Sequence, residues 1–167
     1  MPWWTSGPDR DAGKHRVLEM RDSAEIFAPV ELIWDLLRPA EYAPLLVPGA
    51  VRGYAVPPSE GAGEIHHLVA QRAGKEFHAA VEILEETPHH RLVARSWGQT
   101  GPAERFELRL EPTEKGTLVE RICTHHHRKW SLVPASACRK QHAQWHRREF
   151  SRIQELLDGG WTPGAST

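Results

Sequence analysis

From Leu132 to Leu157 the chain reads LVPASACRKQHAQWHRREFSRIQELL, and no other stretch restricts the fold as much. Ala143, His146, Phe150, Ile153 and Leu157 recur at spacings of three and four, the stripe of a long helix with one buried face. Pro134 suits the first turn, where a missing backbone N–H costs nothing, and Gly159-Gly160 suits the stop. The stripe is not purely apolar. His142 and His146 lie one turn apart, Glu149 follows one turn beyond His146, and Trp145 stands beside them. Such a helix needs a cover, and only the sheet-like region before it is large enough. Polar groups facing into that cover mark where function is expected.

With 167 residues, the chain suits one domain with a substantial core. We place it at residues 16–158, after a flexible arm of residues 1–15 carrying Trp3-Trp4 and before a small polar tail of residues 159–167. Between Arg16 and Phe27, Leu18, Met20, Ala24 and Ile26 share one parity and Glu19, Arg21 and Glu25 the other, the pattern of a half-buried strand. Pro29 opens a short helix, Val30 to Leu37, with Trp34 in the core. Pro39 ends it, and Glu41 to Leu46 form another turn or two. Strands are then expected at Val51–Val56, Glu64–Arg72, Glu76–Glu85, Arg91–Trp97, Glu104–Leu110 and Thr117–His125. The dividers PPSEGAG, AGK, TPHH, GQTGPA and EPTEKG carry turn residues, and short dividers between alternating faces imply an antiparallel meander.

Several function classes recede on composition. A formal net charge of −1 gives no electrostatic case for nucleic acid. No apolar run approaches the ~18 residues of a membrane span. The first residues lack the apolar core of a secretion signal, so a cytoplasmic location is the default expectation. Cys123 and Cys138 are too few for a disulfide framework and lack metal-motif spacing, so two reduced, partly buried thiols are expected.

Three segments carry a family resemblance. SAEIFAPVELIWDLLRPAEYAPLLVPG, Ser23 to Gly49, has a strand ending in Ala-Pro, a helix with a central Ile-Trp, then an aromatic-x-Pro-x-Leu segment. GKEFHAAVEILEETPHHRLVARS, Gly74 to Ser96, and EPTEKGTLVE, Glu111 to Glu120, add an E-x-x-P-x-x-x-L-type link between strands and a hairpin with Gly-Thr at the last strand. The ordered set resembles the SRPBCC superfamily, which includes START lipid-transfer domains, Bet v 1-like allergens and polyketide cyclases. That resemblance implies an α+β helix-grip fold: a curved seven-stranded antiparallel sheet wrapped around the long C-terminal helix, with two short helices after strand 1 and a hydrophobic cavity. Members carry lipids or sterols, bind quinones, or catalyse cyclisation, aromatisation and dehydration of polyketides. Aromatase/cyclases use an Arg and a Tyr at positions that fall near Ile83 and Ala50 here, and both departures count against that particular mechanism.

His142 and His146 are the leading catalytic candidates, since a neutral imidazole in a low-polarity cavity can move the protons of enolisation, aldol closure and dehydration. Hydrogen bonding to the sheet or exposure at the helix rim explains them as well. Arg121 joins them if its face of Thr117–His125 looks inward, where it would hold a carboxylate or enolate oxygen; outward, it is an ordinary surface charge. Tyr42, Tyr54 and Trp97 suit walls for a flat or unsaturated ligand, and Phe106, His67, His125 and Trp145 complete the expected ligand-contacting set, although core packing explains the aromatics nearly as well. The run His125-His126-His127 reads as a surface connector, because neighbours on a strand point to opposite faces. A metal set of His142, His146 and Glu149 would need a ligand from His67 or His125, and no metal or cofactor is assigned. The expected function is cyclisation or dehydration of a hydrophobic, polyketide-like molecule. The alternative is non-catalytic carriage of a lipid-like or aromatic one. An interaction module with a filled core is the third class. A homodimer through a sheet face or edge is compatible with the sequence.

Overall fold

The computed structural model describes residues 15–56, 61–98, 104–129 and 131–164, and the expected arm with Trp3-Trp4 lies outside them. Strand β1 (His15–Ile26) leads to α1 (Val30–Leu37), a 3-10 turn (Ala40–Tyr42) and α2 (Ala43–Leu46). Strands β2 (Ala50–Val56), β3 (Ile65–Arg72), β4 (Lys75–Thr87), β5 (Arg91–Gly98), β6 (Glu104–Pro112) and β7 (Thr117–Arg128) follow, and α3 (Ala135–Asp158) closes the order. The strands form one seven-stranded sheet in the order β1-β7-β6-β5-β4-β3-β2, with every pairing antiparallel.

The meander follows from local chemistry. At the β3–β4 hairpin Arg72 pairs with Lys75, and the two loop residues Ala73 and Gly74 hold φ of 50° and 74°, the two left-handed positions of a type I′ turn. At the start of β7, Thr117 Oγ1 donates to the Ala28 carbonyl at 2.9 Å, tying the last strand to the chain entering α1. Gly116 permits that approach, since a Cβ there would sit 2.1 Å from the Ile26 carbonyl oxygen. Helix α1 starts after Pro29 and stops at Arg38 before Pro39, as the helix-breaking chemistry of proline requires.

One face of the sheet, with α1 and α3, encloses the core of Ile26, Ile33, Trp34, Leu36, Ile83, Leu92, Leu108, Leu110, Val119, Phe150 and Ile153. A register shift between Ile83 and Glu85 breaks the alternation of β4, so Glu86 comes opposite Leu92 and turns inward. There Arg38, at the end of α1, donates from Nε to Glu86 at 2.7 Å and from Nη2 to Glu64 at 3.0 Å, while His66 Nε2 lies 2.6 Å from Glu64. The opposite face carries a chain of ion pairs running Arg21, Glu120, Arg109, Glu107, Arg91, Glu85 across five strands.

Three expectations change. The histidine run is no connector: His125, His126 and His127 lie within β7, paired with Leu18, Val17 and Arg16. The residues after α3 do not all form a free polar tail either. Trp161 is 7% exposed and joins the core, where its ring meets Tyr42 edge-on at 5.1 Å, and the Gly164 N–H donates to the Tyr42 hydroxyl. Leu132 and Val133, included in the expected helix, precede it and are exposed; Pro134 is its N-cap.

Candidate functional site

The site lies where α3 crosses the inner faces of β1 and β7. Along β1, Asp22 has the parity of Leu18, Met20, Ala24 and Ile26, so it points inward with them. Along β7 the inner set is Val119, Arg121, Cys123 and His125, which fixes the face that the sequence left open. Cross-strand pairing puts Phe106 beside Cys123, and the Arg121 guanidinium stacks over the Phe106 ring at 5.5 Å. From α3, Cys138, His142, His146 and Glu149 descend one face, continued by Phe150 and Ile153. The N-terminal half of the helix therefore presents polar groups to the sheet, and its C-terminal half completes the apolar core.

His146 is 4% exposed, and its Nδ1 lies 2.6 Å from Asp22 Oδ2. Asp22 accepts the Nδ1 proton and so leaves Nε2 as the basic nitrogen, 3.6 Å from Cys123 Sγ. A thiol, imidazole and carboxylate in line have the layout of a nucleophilic triad, but burial pushes the Cys123 thiol up to about 11, so it stays protonated. Arg121 Nη2 donates to Glu149, while its buried Nε has no partner. An orphaned guanidinium N–H in a water-poor place is a ready donor for a ligand oxygen. His142 is held below the ordinary histidine value, first by burial and then by the second imidazole, His125, beside it.

Between α2 with the turn after it and α3 opens a cleft of about 730 Å³. Pro44, Leu45 and Val47 line one wall; Trp145, Arg148 and Glu149 line the other. Glu149 joins the cleft to Arg121. Trp145, 50% exposed, stands at the opening.

Of the residues expected from the sequence, the fold gathers His142, His146, Arg121, Phe106, His125 and Trp145 along or beside α3. Four others do not join them. Tyr54, His67 and Trp97 are placed on the sheet face away from α3: Tyr54 pairs with His67, His67 with Ala80 and Ala80 with Trp97, opposite in parity to the inner Gly53, Leu68, Ala79 and Gly98. Tyr54 stacks on His67 at 5.1 Å, and Arg95 covers Trp97. Tyr42 packs against Trp161. Among the described residues, His142, His146 and Glu149 do not bring three donor atoms together as metal ligands. Asp22 is the residue sequence reasoning passed over, although its parity on β1 was the available signal.

No family model matches the sequence, and no curated protein matches it. Solved structures do. Ara h 8.0201 aligns with a TM-score of 0.70 and 16% identity, over 86% of this chain and 99% of that one. A START superfamily protein from Mycobacterium smegmatis aligns with a TM-score of 0.69 and 12% identity, over 88% and 99% of the two chains. The di-domain ARO/CYC StfQ from the steffimycin biosynthetic pathway gives 0.69 and 11%, over 86% of this chain and 51% of that one. At these identities the likeness establishes the fold. It is the helix-grip fold that the resemblance to the SRPBCC superfamily implied.

Proposed function

We propose that the protein binds a small molecule with an apolar, polyketide-like body between α3 and the inner faces of β1 and β7, reached from the neighbouring cleft past Glu149, and catalyses its cyclisation or dehydration with His146 as proton carrier. The observation that carries this reading is the pairing of an inward imidazole–carboxylate couple with a buried guanidinium whose Nε–H is unused. His146 Nε2 removes a proton from the carbon between two carbonyls, and the enolate oxygen takes the Arg121 hydrogen bond. The enolate carbon forms a bond to a second carbonyl carbon, and the imidazolium returns its proton to the new alkoxide. His146 then takes a second carbon-bound proton and hands it to the departing hydroxyl, which leaves as water, so a double bond forms and the neutral imidazole is restored. Asp22 holds the tautomer and offsets the transient imidazolium charge. Starting material and product differ by one water, with no redox change and no cofactor required.

The exposed Trp145 and the apolar α2 wall favour a second reading, a non-catalytic carrier that uses the same cleft. One measurement tests Arg121 and a second separates the two readings. The apolar anion 8-anilinonaphthalene-1-sulfonate, followed by fluorescence, binds at least tenfold more weakly to Arg121→Met, while neutral N-phenyl-1-naphthylamine binds unchanged. A linear triketone incubated with the protein loses one water by mass spectrometry, and His146→Ala abolishes that loss while keeping probe affinity. A triketone recovered intact after binding removes the catalytic reading and leaves the carrier. Equal binding of both probes by wild type and Arg121→Met sinks the assignment of Arg121.

A further inference from the structure

We propose that His125, Cys138 and His142 form a site for a zinc-class transition-metal ion, bound through two imidazole nitrogens and one thiolate. The site is separate from the ligand reading above and does not rest on it. Cys138 and His142 stand four residues apart on α3 and so share one face; His125 comes from the inner face of β7. One donor atom from each lies within 4.8 Å of the other two. A tetrahedral zinc with bonds of about 2.0–2.3 Å holds its donors roughly 3.3–3.8 Å apart, so rotamer adjustment of about 1 Å closes the set.

Three further observations support it. His125 Nδ1 is engaged by Glu104, which holds the ring and leaves Nε2 uncommitted, the carboxylate–histidine arrangement that orients metal-bound imidazoles. The rings of His125 and His142 lie 5.2 Å apart, tilted rather than stacked, which leaves their edges rather than their faces free to share an ion. Among the described residues, neither nitrogen of His142 nor the thiol of Cys138 has a hydrogen-bond partner in this half-buried place. A metal ion would take one His142 nitrogen and the Cys138 sulfur, neither of which is committed elsewhere. Two nitrogens and a sulfur form a borderline-soft set that suits zinc and its neighbours, not magnesium or calcium. With three protein donors, the fourth position falls to water or to a ligand oxygen.

Titration of EDTA-treated full-length protein with Co²⁺ alone tests the site by absorbance. One equivalent should produce a near-ultraviolet thiolate-to-cobalt band together with intense visible bands of tetrahedral cobalt, and Zn²⁺ should bleach both. Cys138→Ser should lose the near-ultraviolet band, whereas Cys123→Ser should keep it. His125→Ala and His142→Ala should each bind Co²⁺ at least tenfold more weakly, and Glu104→Gln about tenfold more weakly. Circular dichroism checks that each variant is folded. Absence of the thiolate band at one equivalent, or a band that survives Cys138→Ser, overturns the proposal. Probe binding measured on the same EDTA-treated protein reports on the cleft independently, so loss of one reading is distinguishable from loss of the other.

Discussion

Among single residues, the Asp22–His146 pair makes the sharpest demand. Asparagine in place of Asp22 keeps the size but can donate to Nδ1, which favours the other tautomer and puts the proton on Nε2. Asp22→Asn should therefore cut triketone dehydration at least tenfold and leave naphthalenesulfonate affinity unchanged. The variant should lose about 1–3 kcal/mol of stability in urea, the usual cost of a compromised buried hydrogen bond. Intact turnover in this variant would remove Asp22 from the mechanism. The residue was legible in principle, since period-2 alternation puts it on the core face of β1; its charge argued for solvent until a partner 124 residues away came into view. Gly53 makes a steric demand of a different kind. A Cβ there would sit 1.9 Å from the Ala40 carbonyl oxygen, so Gly53→Ala should destabilise by about 1–3 kcal/mol through overpacking of the 3-10 turn on β2.

Among the elements, α3 serves two purposes with its two halves. Phe150 is buried in the C-terminal half, and Phe150→Ala should cost about 3–5 kcal/mol in chemical denaturation. Trp145, half-exposed in the other half, should cost under about 0.5 kcal/mol as Trp145→Ala while weakening probe binding at the cleft. Similar losses of stability for both would contradict this division. The end of α1 depends on Arg38 in the same direct way. Arg38→Met strands Glu64 and Glu86 without their cation, and removal of one partner from a buried ionic cluster typically costs about 3–5 kcal/mol. No sequence pattern announced this cluster, because Glu86 reaches the inner face only through the register shift in β4.

For the molecule as a unit, acid stability follows from the carboxylates on either face of the sheet. Arg91 and Arg109 hold the Glu107 carboxyl down at about 2, below its ordinary value of 4.5, although its burial works the other way. For Glu64, burial alone would raise the value, and Arg38 and His66 together outweigh it and pull it lower. A carboxyl with a depressed folded-state value contributes stability that is fully present above the unfolded value and is lost as pH falls through the folded one. The melting temperature should thus fall between about pH 4.5 and pH 2. Glu107→Gln should flatten that fall. An unchanged slope in the variant would show that Glu107 is not the titrating group.

The order of elements, the antiparallel meander and the amphipathic final helix were all readable in the chain before folding, because turn chemistry and hydrophobic period are local properties that neighbouring residues set together. His142, His146 and Arg121 stood out at that level too. What these residues touch is a property of the folded molecule. Neither face of β7 is cleanly apolar, so the alternation could not say which one looks inward; strand register against β1 and β6 and the rotation of α3 settled it. The same two variables placed Asp22 on His146, Glu149 on Arg121 and Cys138 near His125, and turned Tyr54, His67 and Trp97 to the far face. Side-chain partnership across the fold depends on how elements are rotated and staggered against one another, and that information is absent from any single stretch of the chain.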